Sequence, residues 1–339
     1  AGPHLERWLV TEVHQSGTLP DNIHLVYRER VQLGRDARFD AAACQGKFRP
    51  GTRIDKLGDE AALFRPDLGF RFLGHNRDNS AIRESEHRMT KTPDVERLLD
   101  LTGETVLVTG ASGNIGRGIA KRLAEAGARI VVHYFRNEAA ATRLAHEIAA
   151  EAVIQSALDD ADAVDSLFAE CAPTQVVNNA AAQQVQPLAD MAFDDWRSVL
   201  SANLDGPFLV TQRAAQAWSG RAGSIVNIAS IEGSDPAAGH AHYATSKAGL
   251  IMFTRAAALE YGPRGVRVNC VSPGLVDRAG LADDWPDGVG RWQERVPLGR
   301  LGTAKDVADA VLFLLSPAAR WISGTNLVVD GGMSAQSRW

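Results

Sequence analysis

The chain has 339 residues, of which 45% are hydrophobic and 23% charged, and its formal net charge is −5. This composition is ordinary for a soluble globular enzyme, and the length permits one large domain or two. The charge gives no reason to expect nucleic acid or an anionic membrane as a partner. Three widely spaced Cys form no metal-type pair, and no apolar run reaches the ~18–20 residues of a membrane span. We therefore expect a cytoplasmic protein without a signal peptide or a metal site.

The first part of the chain, residues 1–97, is more polar than the rest, with 16 Lys and Arg and 15 Asp and Glu. Alternation over 23–33, and Gly and Pro breaks with scattered Phe over 46–77, indicate irregular or β-rich structure. An N-cap and a first-turn Pro predict a short helix over 92–101. Because no motif is present, we predict an N-terminal extension of unknown role: a cap, an oligomer contact or a partner-binding surface. Residues 98–339 form the second predicted domain.

A Gly-rich turn opens that second domain. Thr105–Thr109 is an apolar, β-branched run that predicts a strand, and Gly110–Gly116 follows it. An amphipathic pattern then predicts a helix from Arg117 to Ala126. Between a strand and a helix, such a turn lets backbone N–H groups and the helix N-terminus face a pyrophosphate. A second strand, within 127–137, completes a βαβ unit that is typical of dinucleotide binding.

The end of that second strand indicates which dinucleotide binds. A site for NAD has an acid there for the ribose 2′-hydroxyl, and this chain has none. Instead Arg136, with His133 and Asn137 beside it, can pair with a 2′-phosphate. The alternative is that Arg136 is a solvated loop cation. We predict NADPH/NADP+ rather than NADH as the cofactor.

Strands and helices alternate through the remainder of the domain. The predicted strands begin at Gln175, Ser224, Arg267 and Asn326, and the predicted helices lie at about 196–218, 243–260 and 307–315. This alternation predicts an α/β fold with a doubly wound, largely parallel sheet, whose ligand binds at the carboxyl ends of the strands.

A Tyr and a Lys lie four residues apart at the start of one predicted helix. The helix places Tyr243 and Lys247 on one face. A phenol has a pKa near 10, and a nearby ammonium favours the phenolate and lowers that pKa. Ser230, at the end of the preceding strand, can donate a hydrogen bond to the same substrate oxygen. Together the three predict proton transfer to or from a carbinol oxygen.

Seven ordered motifs between about residues 100 and 334 now become recognisable as a set. They are Thr109–Gly116, Asn178–Ala181, Asn203, Ser230, Tyr243 with Lys247, Pro273-Gly274, and the tail from Val296 to Gly332. In this order they resemble the short-chain dehydrogenase/reductase family, in its oxidoreductase form of Rossmann-type fold.

The resemblance implies a role for each residue of the proton-transfer set. Tyr243 is the expected general acid in ketone reduction, and Ser230 is expected to hydrogen-bond the carbonyl. Lys247 would lower the Tyr243 pKa and hold the nicotinamide ribose hydroxyls. Asn203 would keep a water in the proton relay, and the Val276 N–H would donate to the nicotinamide carboxamide.

The resemblance also implies a set of cofactor contacts at the strand ends. The expected residues are Gly110, Ser112, Gly113, Asn114, Ile115, Gly116, His133, Arg136, Asn137, Leu158, Asp159, Asn179, Ala180, Tyr243, Lys247, Pro273, Gly274 and Val276. Several positions depart from the family pattern, and two of them bear on these contacts. Asn114 replaces the middle glycine of the phosphate turn, and Ala157 falls where an acid would hold the adenine amino group, so that Asp159 is the expected substitute.

The leading hypothesis is an NADPH-dependent ketone or aldehyde reductase similar to 3-oxoacyl-carrier-protein reductases, acting on a small-molecule carbonyl. The alternative is an alcohol dehydrogenase that oxidises a sugar, steroid or polyol. A pteridine reductase ranks third, because those enzymes carry an acid where this chain has Ser230. The intact proton relay argues against a non-catalytic dinucleotide sensor or scaffold.

Relatives pair through the helices predicted at 196–218 and 243–260, which implies a homodimer or homotetramer. His240 and His242 approach Tyr243, but no residue set identifies the substrate.

Overall fold

The computed structural model describes residues 60–65, 69–74 and 93–336. The chain divides into two units, residues 1–90 and 91–339, and each is described by itself. In the first unit, strand β1 (Glu60–Arg65) pairs antiparallel with strand β2 (Gly69–Gly74). The strand-like alternation over 23–33 lies outside the described residues, and of the range 46–77, predicted to be irregular or β-rich, only these two strands are described.

The second unit is built on a seven-stranded sheet. Its strands are β3 (Thr105–Val108), β4 (Arg129–Tyr134), β5 (Ala152–Gln155), β6 (Gln175–Asn178), β7 (Gly223–Ile228), β8 (Val266–Pro273) and β9 (Asn326–Val329). The order is β5-β4-β3-β6-β7-β8-β9, and each neighbouring pair is parallel. Chain order reverses between β3 and β6, where open sheets of this kind bind ligands at the carboxyl ends. The predicted doubly wound, Rossmann-type fold is confirmed.

Helices cover both faces of this sheet. They are α1 (Asn114–Glu125), α2 (Glu138–Ile148), α3 (Ala161–Cys171), α4 (Phe193–Leu200), α5 (Gly206–Ala217), α6 (Ala241–Tyr261), α7 (Leu281–Asp284), α8 (Pro286–Arg295) and α9 (Ala304–Leu315). Successive residues of a strand face opposite sides of a sheet. Accordingly Val106 and Val108 pack in the core that includes α1, α2 and α9, whereas Leu107 packs in the core that includes α3 and α5. Among the described residues, no helix has both the length and the apolar character required to cross a bilayer.

Two helix predictions differ from the structure. Over 92–101 the helix is a single 3-10 turn, Val95–Arg97. It ends there because Leu101 is buried and donates its N–H to the Ala126 carbonyl, 2.9 Å away, which redirects the chain towards β3. The helix predicted over 196–218 is interrupted by a π-helical turn, Ser201–Asp205, between α4 and α5.

Candidate active site

The phosphate turn between β3 and α1 requires glycine at both of its ends. Gly110 has a φ of +61°, and a Cβ there would lie 2.8 Å from the Ala180 Cα. A Cβ on Gly116 would lie 2.6 Å from the Asn179 Nδ2. The turn is therefore packed tightly from behind, and its backbone approaches the first turn of a 12-residue helix. This geometry fits the pyrophosphate of a dinucleotide, because helix N-terminal N–H groups bind anions.

His133 holds this turn from the neighbouring strand. Its side chain is buried, at 1% exposure. Nδ1 accepts a hydrogen bond from the Gly110 N–H at 3.0 Å, which places the ring proton on Nε2, 3.1 Å from the Ser156 carbonyl oxygen. Both ring nitrogens are thus used inside the protein. We predicted that His133 assists Arg136 at a 2′-phosphate; the geometry instead assigns the ring to the support of the phosphate turn.

Two Asn side chains also brace the turn. Asn179 Nδ2 donates to the Thr109 and Gly110 carbonyls at 2.9 and 3.1 Å. Asn114, which replaces a family glycine, donates from Nδ2 to the Asp277 carbonyl at 2.7 Å. These contacts tie the phosphate turn to the segments that follow β6 and β8. The Asn114 contact joins residues 163 positions apart, and no local sequence signal indicates it.

The residues predicted for the 2′-phosphate lie after β4. Arg136 is exposed, and its guanidinium carbon lies 5.4 Å from the centre of the Phe135 ring. The Asn137 side chain caps α2 by accepting a hydrogen bond from the Ala140 N–H at 3.1 Å. Arg136 is thus an exposed cation that follows β4, at the carboxyl edge of the sheet.

The remaining predicted cofactor residues lie at the ends of β5 and β8. Asp159 accepts a hydrogen bond from the Ser201 hydroxyl at 3.0 Å, and Leu158 beside it is half-buried. Val276 forms an isolated parallel bridge with Gly302. The bonds of that bridge involve the Asp277 N–H and the Leu275 carbonyl, and not the Val276 N–H.

Pro273 ends β8, and Gly274 follows it in a close approach to other backbone. A Cβ on Gly274 would lie 2.8 Å from the Asp330 Cβ and 2.9 Å from the Trp292 ring. This crowding joins the end of β8 to the turn after β9 and to helix α8. The segment that carries Val276 is therefore fixed from both sides.

Ser230, Tyr243 and Lys247 come together at the carboxyl end of β7. They are 8%, 9% and 2% exposed. Burial raises the Tyr243 pKa to about 12 and outweighs the Ser230 hydroxyl, which favours the phenolate and lowers that pKa; the Glu232 carboxylate makes a smaller contribution in the same direction as burial. The phenol is therefore protonated at neutral pH and is set up as a proton donor.

Lys247 lies close to Tyr243, as the spacing of the two residues predicts, but the Tyr243 pKa differs from our expectation. The Lys247 Nζ donates to the Ile228 carbonyl at 2.8 Å and lies 5.5 Å from the centre of the Tyr243 ring. Burial lowers the Lys247 pKa to about 8. We predicted that the ammonium lowers the Tyr243 pKa, but the pKa of the phenol in this structure is raised, because desolvation of the phenolate prevails.

Asn203 is fully buried inside the π-helical turn. Its Oδ1 accepts from the Ala182 N–H at 2.7 Å, and its Nδ2 donates to the Ala182 carbonyl and the Ser246 hydroxyl at 2.9 and 3.0 Å. These bonds join the end of β6 to helix α6, which carries Tyr243. The π-helical turn interrupts regular helical bonding here, which is a frequent feature of functional sites.

The site as a whole combines the phosphate turn, Gly110–Gly116, with the buried phenol of Tyr243 and the buried ammonium of Lys247. Among the residues that the structure describes, no group of three or more His, Cys, Asp or Glu is arranged to hold a metal ion. The arrangement can bind an anion at the phosphate turn and give a proton from Tyr243 to an oxygen nearby.

A His133→Phe substitution tests the bracing role of the imidazole. It removes the acceptor for the Gly110 N–H, so we expect the dissociation constants of NADPH and NADH both to rise, by roughly tenfold. Titration of each cofactor by fluorescence measures this, with the exposed His146→Phe as the matched control. A loss confined to NADPH would instead make His133 a ligand of the 2′-phosphate.

His133 also predicts an acid-sensitive stability. Burial lowers its pKa in the folded protein from 6.5 to about 4, so between these values the unfolded chain binds a proton that the folded chain does not. The free energy of unfolding should therefore fall as pH drops from 6.5 to 4, by roughly 3 kcal/mol from this residue. Urea unfolding at several pH values checks this. In His133→Asn the fall should be smaller, and an equal fall would contradict the assignment.

The comparisons with known proteins agree with this geometry. The family model described as "Enoyl-(Acyl carrier protein) reductase" matches residues 110–334. The 3-oxoacyl-[acyl-carrier-protein] reductase FabG of Aquifex aeolicus is 37% identical over 247 residues, which cover 69% of this chain and 99% of that protein. The 3beta-hydroxysteroid dehydrogenase 1 of Eggerthella lenta is 34% identical over 249 residues, covering 69% of this chain and 95% of the relative.

Solved structures give the same result. A short-chain type dehydrogenase/reductase from Mycobacterium marinum superposes with a TM-score of 0.67 at 34% identity, covering 72% of this chain and 100% of that one. A candidate 2-deoxy-D-gluconate 3-dehydrogenase from Agrobacterium tumefaciens, solved with bound NADP, has a TM-score of 0.66 at 31% identity and covers 70% of this chain and 99% of its own. The chain therefore belongs to the short-chain dehydrogenase/reductase family of oxidoreductases, which bind a nicotinamide dinucleotide.

Proposed function

We propose that this protein is an NADPH-dependent oxidoreductase that reduces a ketone or aldehyde to an alcohol. The observation that carries the proposal is the buried set of Ser230, Tyr243 and Lys247 beside a dinucleotide-binding turn. A nicotinamide bound beside these residues would supply the hydride that the carbonyl carbon accepts. Tyr243, whose phenol is protonated at neutral pH, gives its proton to the carbonyl oxygen, and Ser230 hydrogen-bonds the same oxygen.

Lys247 and Asn203 serve the return of the proton to Tyr243. The Lys247 pKa of about 8 lets this ammonium exchange a proton near neutral pH. Asn203 fixes the π-helical turn against α6, next to Ser246 and thus next to Lys247. We infer that proton exchange with solvent passes along this side of α6, through a water kept near Asn203. In the cofactor site, Gly110–Gly116 would hold the pyrophosphate, and Val276 the carboxamide.

The preference for NADPH over NADH rests on Arg136. It is an exposed cation after β4, where the ribose carrying the 2′-phosphate is bound in this fold, and no acid replaces it there. A structure with bound NADP among the similar proteins adds support.

The second candidate function is the reverse reaction, oxidation of an alcohol group on a sugar, steroid or polyol. It uses the same residues, with Tyr243 accepting the proton that it gives up in reduction. Relatives described as a hydroxysteroid dehydrogenase and as gluconate dehydrogenases favour it. The direction is tested with the purified protein by following reduced nicotinamide with a panel of ketones, aldehydes and the matching alcohols. If the protein oxidises alcohols but reduces none of the ketones or aldehydes, at any ratio of oxidised to reduced cofactor, the proposed reductase activity is excluded.

Three further features belong to the proposal. We place the protein in the cytoplasm as a homodimer or homotetramer that pairs through α5 and α6, whose exposed apolar side chains include Phe208, Met252 and Leu259. Light scattering of the purified protein tests the association, and a monomer would exclude it.

The substrate is a small molecule, and residues 1–97 form a separate extension. Deletion of that extension, followed by folding and substrate assays, distinguishes a structural role from a cap over the pocket.

A further inference from the structure

Glu232 and His240 form an enclosed pair between the two residues that contact the substrate oxygen. Glu232 lies two positions after Ser230, and His240 three positions before Tyr243. The His240 Nδ1 is 2.8 Å from the Glu232 Oε2, and the two side chains are 14% and 17% exposed. Removing a carboxylate and an imidazole from water is costly. A pair of this kind beside the reacting oxygen therefore indicates a role in the reaction rather than in stability.

The ring of His240 packs against the general acid and retains one unused atom. Its centre lies 6.0 Å from the centre of the Tyr243 ring, at an interplanar angle of 67°. Nδ1 is held by Glu232, so Nε2 is the one polar atom left on the ring. Nε2 is buried and has no hydrogen-bond partner among the described residues. Buried polar atoms are nearly always paired, and an unpaired one is destabilising.

The position of the reacting oxygen decides what can approach this atom. An oxygen bonded by both Ser230 and Tyr243 places the neighbouring carbons of the substrate beside the segment that joins those residues, which includes His240. The carboxylate of Glu232 keeps the proton of a neutral imidazole on Nδ1. Nε2 then carries a lone pair, which accepts a hydrogen bond from a hydroxyl group of the substrate. A methylene group at the same place donates no hydrogen bond.

The neighbouring His242 also has a buried Nε2 without a hydrogen-bond partner among the described residues, but its tautomer differs. It is fully buried, and its Nδ1 accepts a hydrogen bond from the Tyr243 backbone N–H at 2.9 Å, which places the ring proton on Nε2 and leaves the ring without a free acceptor. His242 thus supports the start of helix α6. His240 alone combines a charged partner, contact with the Tyr243 ring and an unused acceptor.

We propose that His240, held by Glu232, recognises a hydroxyl on the carbon next to the reacting carbonyl, so that the preferred substrates are hydroxy ketones of the sugar or polyol type. This inference rests on the proposed function as a carbonyl reductase, and it adds the substrate class. A site built to hydrogen-bond a substrate hydroxyl discriminates strongly against the analogue that lacks it.

The test compares kcat/KM for 2-hydroxycyclohexanone and for cyclohexanone, with NADPH, in the full chain and its variants. The wild type should prefer the hydroxy ketone by at least about tenfold. In His240→Phe, which keeps a ring against Tyr243 but has no acceptor, most of that preference should be lost. Glu232→Gln should lose part of it, because the proton on Nδ1 is held less firmly. His240→Gln, which restores an acceptor, should regain part of it.

The ratio of the two substrates is the readout, whatever each variant does to absolute rates. A wild type without the preference overturns the inference, and so does a preference that persists in His240→Phe. If His240→Phe does not fold, as judged by thermal unfolding and NADPH binding, an unchanged preference in both Glu232→Gln and His240→Gln overturns it. A wild type that binds NADPH but reduces neither ketone, nor any other carbonyl of the panel, refutes the proposed function and this inference with it.

Discussion

Replacing Tyr243 with Phe is expected to lower kcat for carbonyl reduction by about 10²- to 10⁴-fold, the usual contribution of a positioned general acid. The substitution removes only the hydroxyl, so the ring still packs against Lys247 and His240. The oxygen that becomes the alcohol then loses the acid positioned to protonate it, and the Ser230 hydroxyl holds its own proton far more tightly than a phenol does. Steady-state kinetics with NADPH and one reducible ketone measures the effect.

The control for this variant is cofactor binding. Most of the expected cofactor contacts, including those of the phosphate turn between β3 and α1, do not involve the Tyr243 hydroxyl, so the NADPH dissociation constant should rise far less than kcat falls. Ser230→Ala provides a graded comparison, because it removes a hydrogen bond to the reacting oxygen but keeps the acid. Turnover by Tyr243→Phe at the wild-type rate would refute the mechanism.

Replacing Arg136 with Ala is expected to raise the KM for NADPH by about 10- to 100-fold and to leave the KM for NADH nearly unchanged. The physical reason is the loss of a charge-assisted hydrogen bond to the 2′-phosphate, worth about 1.5–3 kcal/mol. NADH carries a hydroxyl at that place and has no charge for the guanidinium to neutralise. Kinetics with both cofactors on the same ketone measures the ratio.

A matched control is available on the following helix. Arg143→Ala removes another exposed guanidinium from α2 and should leave the ratio of the two cofactors unchanged, which separates a local contact from a general loss of positive charge. Arg136→Asp should go further than Ala and favour NADH, since an acid pairs with the ribose 2′-hydroxyl. An Arg136→Ala protein with the wild-type ratio would remove the basis for NADPH preference.

His133 and Arg136 together show how far the strand end could be interpreted from sequence. Both are polar residues at the end of one strand, and adjacency suggested a shared phosphate. Alternation along the strand places the His133 ring in the interior, where Gly110 and Ser156 meet it. Those partners are 23 residues away on either side, and the bonds arise only when β4 pairs with its two neighbours. The two substitutions therefore have different expected effects: the His133 substitution should weaken NADPH and NADH alike, whereas the Arg136 substitution should weaken NADPH alone.

The Tyr243 pKa is a second property that the sequence did not predict. Helical spacing correctly places Lys247 close to the phenol, at 5.5 Å from the ring centre. Spacing carries no information on burial, and the depth of Tyr243 reverses the expected direction of its pKa. The partner of Lys247, the Ile228 carbonyl, belongs to β7 and meets the lysine only through packing of the helix on the sheet.

The sequence alone determined the fold class, and it predicted the cofactor turn and the proton-transfer residues, because these depend on local periodicity and on short spacings such as Tyr243 to Lys247. The tertiary structure decided which polar groups are buried and which meet across the sheet: His133 on Gly110, Asn114 on Asp277, and Glu232 on His240. These contacts result from strand order and layer packing, which no local pattern contains. The side chains that position the phosphate turn, and those that we expect to select the substrate, therefore became visible only in the folded chain.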